Sequence, residues 1–271
     1  MVTFDRAICV GCGACARDCF PGAIEMRGRT PEFSRPDACI RCGHCVAVCP
    51  TGAVSMPDEE MREVVPGAPD VAGEDLLHLM QFRRSVRQYT AAPVTDAELT
   101  RLLDAARWCP TAKNAQDTRY IVVREKKQAL LGLALDALGG LGRTMLQNPV
   151  LPPDERRRAD NFIRWQREFR ADPAATDPLF FHAPMLLLFI SGPDARDAAA
   201  AAAFSGLEAA SMGLGCLFSG YFTAVAAASP DIRALLGLKE GEQVARCLVV
   251  GHPAVRFHRT VPRKAADVRY I

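Results

Sequence analysis

Eight of the chain's eleven cysteines stand in two runs of one spacing, CVGCGACARDC at 9–19 and CIRCGHCVAVC at 39–49, each reading C-x2-C-x2-C-x3-C. Such regular crowding points away from thiols placed for packing alone. In a reducing compartment it points to metal binding rather than to disulfides. Two observations fit that compartment: the start, MVTFDRAICVGCG, lacks a basic segment followed by an apolar stretch, and the strongly apolar run MLLLFI at 185–190 is too short to cross a bilayer. The expectation is a cytoplasmic protein with no membrane partner. A formal net charge of +2, with basic and acidic residues intermixed, argues against a nucleic-acid binder held by phosphate contacts.

Structural zinc usually takes two separated C-x2-C knuckles, and His44 is the one nearby nitrogen ligand. Three thiolates from one tight loop instead fit three corners of an iron-sulfur cube, with the fourth cysteine of each run ligating the other cluster. On that pattern Cys9, Cys12, Cys15 and Cys49 hold one [4Fe-4S] cluster, and Cys39, Cys42, Cys45 and Cys19 hold the second. Gly11, Gly13 and Gly43 would let the loop backbone approach the sulfides. CFPGAI at 19–24 answers CPTGAV at 49–54, which reads as an internal duplication. Residues 1 to about 56 resemble the bacterial two-cluster ferredoxin, with one departure, Phe20 where that family usually has proline. A zinc-bearing interaction module stays as the alternative. Cys109, Cys216 and Cys247 are isolated in apolar settings and read as small buried side chains.

Residues 57–73, PDEEMREVVPGAPDVAG, read as a linker to a larger domain at 74–271. There, EDLLHLMQFRRSVRQYT predicts a helix with Leu76, Leu77, Met80 and Phe82 on its apolar side, running into Arg83, Arg84, Ser85 and Arg87. Those arginines are either a solvated helix end or an anion site for a phosphate monoester. Stretches 181–191 and 244–252 read as buried strands, and alanine-rich 197–215 as a helix ending at glycine. Its Ala203, Ser205, Gly206 and Ala209 suit either a dimer core or packing inside one subunit. Residues 139–180 form an insertion that places Phe162, Trp165 and Phe169 on one helical face. That face belongs either to a lid over the site or, preferably, to a helix packed on the core.

RRSVRQY, AARWCPTAKNAQ at 105–116, SMGLGCLFSGYF at 211–222 and GHPAVRFHRTVPRK at 251–264 together, in this order, resemble the flavin-dependent nitroreductase family. The resemblance implies an α+β domain with a central sheet flanked by helices, and FMN at a homodimer interface. By matching position, Arg83, Arg84, Ser85 and Arg87 would meet the phosphate, ribityl chain and ring edge. Pro110, Thr111, Ala112 and Asn114 would come from the partner subunit, with the Asn114 amide on the ring's polar edge. Phe218, Ser219 and Gly220 would line a ring face, and Arg263 with Lys264 would close the phosphate side. Asp117, Thr118 and Ala265 depart from the family pattern.

Clusters carry single electrons and flavins can gather two, so the expected function is an FMN oxidoreductase fed through its own clusters. Its acceptor would be a nitroaromatic, a quinone or another small conjugated molecule, and its outside donor a ferredoxin or NAD(P)H. Two rivals are a flavin reduced by NAD(P)H that passes electrons outward through the clusters, and an electron-transfer protein without an organic substrate. Chemistry borne by a flavin needs no catalytic acid-base dyad from the chain.

Overall fold

The structure, a computed structural model, describes residues 2–58, 60, 61, 63, 64 and 71–271. It divides into two compact units, Met1–Asp70 with Thr111–Gln116, and Val71–Pro110 with Asp117–Ile271. The linker expected at 57–73 falls partly outside the described residues, and its last residue already begins a helix. The segment 111–116, expected in the larger domain, belongs to the first unit.

Unit one carries the duplication into three dimensions. Its short helices α1 (Ala14–Arg17) and α2 (His44–Ala47) start from Gly13 at φ 73° and Gly43 at φ 74°. Strand β1 (Thr3–Phe4) pairs antiparallel with β4 (Val54–Ser55), and β2 (Glu25–Arg27) with β3 (Thr30–Glu32). Phe20 does not disturb the turn it enters: Gly22 donates to the Cys19 carbonyl at 2.8 Å as Gly52 does to Cys49 at 3.4 Å. The buried core is Val2, Cys15, Ile24, Cys45, Val54 and Met56, so two of the thiols are core residues.

Unit two is a four-stranded antiparallel sheet in the order β5 (Arg119–Val123), β6 (Met185–Ser191), β8 (Gln243–Gly251), β7 (Gly215–Phe218). Every residue of β6 is buried because both faces are covered. Leu186, Leu188 and Ile190 point into a core shared with α5 (Lys127–Leu146), α6 (Pro153–Ala171), α8 (Gly220–Ala228) and α9 (Pro230–Leu236). Met185, Leu187 and Phe189 point the other way, into a core with α4 (Asp96–Arg107) and α7 (Arg196–Ser211). Helix α4 is started by a capping box, in which Thr95 Oγ1 accepts from the Glu98 amide and Glu98 accepts from the Thr95 amide.

Several expectations change. Helix α5 is long and apolar enough to cross a membrane by length and composition, unlike the run at 185–190. Here it is a core helix, with Leu130, Leu131, Ala134, Leu135 and Leu138 buried. The stretch read as an insertion begins inside α5, and α6 packs against α5. A Cβ on Gly142 would lie 2.6 Å from the Ala159 carbonyl, so glycine lets the two backbones close. Buried Gln166 then donates to Asp136 at 2.6 Å and accepts from Arg143 at 2.8 Å. Phe162 is buried against Trp165 and Tyr221. The small residues of α7 face inward: the Ser205 hydroxyl donates to the Leu102 carbonyl at 2.7 Å, and Gly206 and Ala209 are buried within this subunit, leaving Ala203 exposed. Conversely, helix α3 (Gly73–Phe82) buries nothing, and Leu76, Leu77, Met80 and Phe82 are all exposed.

Candidate functional site

Two cavities open in unit one. The first is lined by Cys9, Cys12, Cys15 and Cys49, and the second by Cys19, Cys39, Cys42 and Cys45. These are the two fours that the spacing assigns, and all eight thiols are unbridged. Among the described residues no three His, Cys, Asp or Glu side chains converge on a position for a single ion. Tetrahedral zinc with Zn–S bonds of about 2.3 Å would need sulfurs only about 3.8 Å apart. His44 Nδ1 lies 3.1 Å from Asp18 Oδ2, which gives it a use other than metal binding. Four thiols spread around a cavity suit a polynuclear cluster.

Electrostatics fits ligation by displaced protons. Burial pushes the Cys15 thiol up and Cys45 up to about 11, so each is neutral until a metal takes the proton's place. Burial acts on Cys49 too, but the Thr51 amide and hydroxyl and the Ala53 and Val54 amides outweigh it and hold that thiol below its usual value. Donors reach sulfurs lining the second cavity as well: Ala23 N–H to Cys19 Sγ at 3.2 Å and Arg41 N–H to Cys39 Sγ at 3.4 Å. Gly43 has open space where a Cβ would sit, so its left-handed φ, not close approach, is what requires glycine there.

In unit two, three segments far apart in sequence are hydrogen-bonded into one edge. The Val86 amide donates to the Cys216 carbonyl at 3.0 Å, laying 83–87 beside β7, and a Cβ on Gly215 would come within 2.8 Å of Val86. Thr90 donates to the His252 carbonyl at 2.9 Å, and Ala254 to Gln88 at 2.9 Å. Arg83, Ser85, Phe218 and Gly220 therefore share this edge, together with exposed Arg87, whose guanidinium lies 6.0 Å from the Phe181 ring. Paired cations, a hydroxyl and an apolar ring suit a flavin phosphate beside a flat ring.

Not every expected contact is available in the way the sequence suggests. Arg84 donates to the carbonyls of Phe82 at 3.0 Å and Arg259 at 2.6 Å and stacks 4.6 Å from the Phe257 ring, so it ties down the C-terminal stretch. Ser219 is buried with its hydroxyl on the Leu179 carbonyl at 3.1 Å, which leaves the ring-facing role to its neighbours. Arg263 and Lys264 lie in an exposed stretch without regular secondary structure. Pro110 is exposed in unit two, whereas Thr111, Ala112 and Asn114 belong to unit one. There the Asn114 amide donates to the Arg41 carbonyl at 2.8 Å, a contact that no spacing in the sequence signals. Phe181 and Phe257 were missed for the same reason: each acts through an arginine remote in sequence.

The sequence matches the description "Nitroreductase family" over residues 80–252, well over half of the chain. The chain belongs to the nitroreductase family. That family is one of flavin-dependent oxidoreductases. Residues 8–53 match a 4Fe-4S dicluster domain. The nitroreductase of Bacteroides fragilis, solved with bound FMN, superimposes with a TM-score of 0.57 at 20% identity, covering 73% of this chain and 98% of its own. The FMN-bound nitroreductase of Desulfitobacterium hafniense gives 0.53 at 21%, covering 72% and 98%. At such identities they speak for the fold alone. An Archaeoglobus fulgidus protein, provisionally named NADH dehydrogenase/NAD(P)H nitroreductase, is 35% identical over 54 residues, 20% of this chain and 31% of that relative's length.

Proposed function

We propose that this nitroreductase-family chain is an FMN-dependent oxidoreductase that takes electrons through two [4Fe-4S] clusters of its own and reduces a nitroaromatic, quinone or other conjugated acceptor. The observation that carries it is the pair of four-thiol cavities in the same chain as an arginine-bearing edge built from 83–87, 215–220 and 251–254. When bound, the clusters would supply single electrons and the flavin would combine them in pairs. The chain's part is to hold them: eight thiols for the metal, Arg83 and Arg87 for the phosphate charge, Ser85 as a hydroxyl partner, and Phe218 with the Gly220 backbone against the ring. A homodimer is supported by the exposed apolar side chains of α3, which need a cover. A cytoplasmic location, where thiols stay reduced, belongs to the same proposal.

The provisional name of the Archaeoglobus relative favours a second reading, in which NAD(P)H reduces the flavin directly. Rapid mixing of the anaerobic protein with reduced ferredoxin, and separately with NAD(P)H, decides between them by which one bleaches the flavin absorbance. Purification without flavin, or without iron and acid-labile sulfide, would overturn both.

A further inference from the structure

The two thiol loops of unit one share one cysteine spacing, but their side chains differ at several positions, one of them next to the thiols. Gly11 in the first thiol loop is answered by Arg41 in the second, and both have left-handed backbone, with φ of 67° and 52°. Glycine takes that conformation freely, whereas a residue with a Cβ does so only when its surroundings hold it there. In the first loop glycine is required sterically, since a Cβ on Gly11 would lie 2.6 Å from the Arg29 carbonyl. In the second loop Arg41 is held at both ends of its residue. Its N–H donates to Cys39 Sγ at 3.4 Å and its carbonyl accepts from the Asn114 amide at 2.8 Å. Asn114 is itself left-handed at φ 52°, beside Lys113 at φ 52°, in the 111–116 segment of the same unit.

We propose that Asn114 is a positioning residue that sets the reduction potential of the cluster held by Cys19, Cys39, Cys42 and Cys45. The inference rests on the reading of that cavity as a cluster site. By anchoring the Arg41 carbonyl, Asn114 keeps the Arg41 N–H aimed at the Cys39 sulfur. Reduction adds negative charge to the cluster and its thiolates, and a donor on a ligand sulfur stabilises that added charge and raises the potential. The loop of Cys9, Cys12 and Cys15 has a different anchor, Arg29, which donates to the Val10 carbonyl at 2.8 Å. The two clusters are therefore set by different side chains.

The test is a potentiometric titration of the anaerobic full-length protein followed by electron paramagnetic resonance, repeated after FMN has been removed. Cys19→Ala, which strips a ligand from the second cavity, identifies that cluster's signal. Asn114→Ala is expected to make this one cluster harder to reduce, with a changed signal and the other cluster unmoved, with or without FMN. Asn114→Gln, which keeps an amide donor, is expected to recover part of the shift. If Asn114→Ala sheds iron, Asn114→Gln carries the measurement through its smaller, one-cluster shift. Wild-type potentials in both variants, equal shifts of both clusters, or a shift that disappears with FMN removal would overturn the inference. A wild-type protein without iron and sulfide would instead overturn the reading of the cavity.

Discussion

Unit one and unit two of this protein are stabilised by different means. The packed core cluster of unit one is six buried residues, two of them thiols that line the cavities, and its strands are two or three residues long. Unit two wraps a strand buried along its whole length between two apolar cores. A small unit with so little apolar burial would depend for stability on the metal that its thiols hold, whereas unit two has enough buried surface to stand without a cofactor. Loss of metal and loss of FMN would then injure different units of the chain.

The largest effect expected from that difference is on metal removal. Chelation under reducing conditions should abolish hydrogen-exchange protection in α1 and α2 while β6 and β8 amides stay protected; simultaneous loss in both units would break the comparison. Next comes the flavin edge: replacing Arg83 and Arg87 together should weaken FMN binding by several kcal/mol, at about 1.5–3 for each charged bond, with unit two still folded. Equilibrium dialysis of FMN measures it, and unchanged affinity would remove the phosphate role from this edge. Phe189→Ala, in the fully buried strand, should destabilise unit two by about 3–5 kcal/mol in urea unfolding while iron content stays the same.

The smallest effect is one of pH. Hydrogen bonds from the Arg119 side chain and then the Lys239 amide hold Glu242 down to about 2. Its folded value lies below its unfolded one, so the pair's stabilisation is present above the ordinary glutamate range of about 4.3 and fades as pH falls toward the folded value. Arg119 is 37% exposed, so Arg119→Ala should cost no more than about 1 kcal/mol at neutral pH. The gap between variant and wild type in urea unfolding should narrow on acidification, and a gap that widens would contradict the sign.

Much of unit two could be read from the chain, with instructive exceptions. The all-apolar run at 185–190 reads as a buried strand because burial on both faces requires apolar residues at both parities. Helix α7 stops at Ser211, four residues before the expected end at 215: Gly213, at φ 76°, lets its own amide return to the Ala210 carbonyl and the Leu214 amide to that of Ala209, and Gly215 already begins β7. Apolar character could not say which neighbour it would meet. Ser205 and Gly206 serve α4 and β7 inside one subunit, while the apolar side of α3 is left outward. At the candidate site, residue types suggested anion binding for both Arg83 and Arg84, yet only the fold reveals that Arg84 is spent on the Arg259 carbonyl and the Phe257 ring.

Sequence by itself grouped three thiols of each run, because that spacing is short-range chemistry, and the two-cluster pattern assigned the fourth from the other run. It also marked the segments that form the edge in unit two. Only the tertiary structure decided that 83–87 lies along β7, that 88–90 pairs with 252–254, and that Asn114 serves Arg41. These contacts join residues separated by dozens to more than a hundred positions. Partner choice at such range depends on how the whole core packs, and no local pattern encodes it.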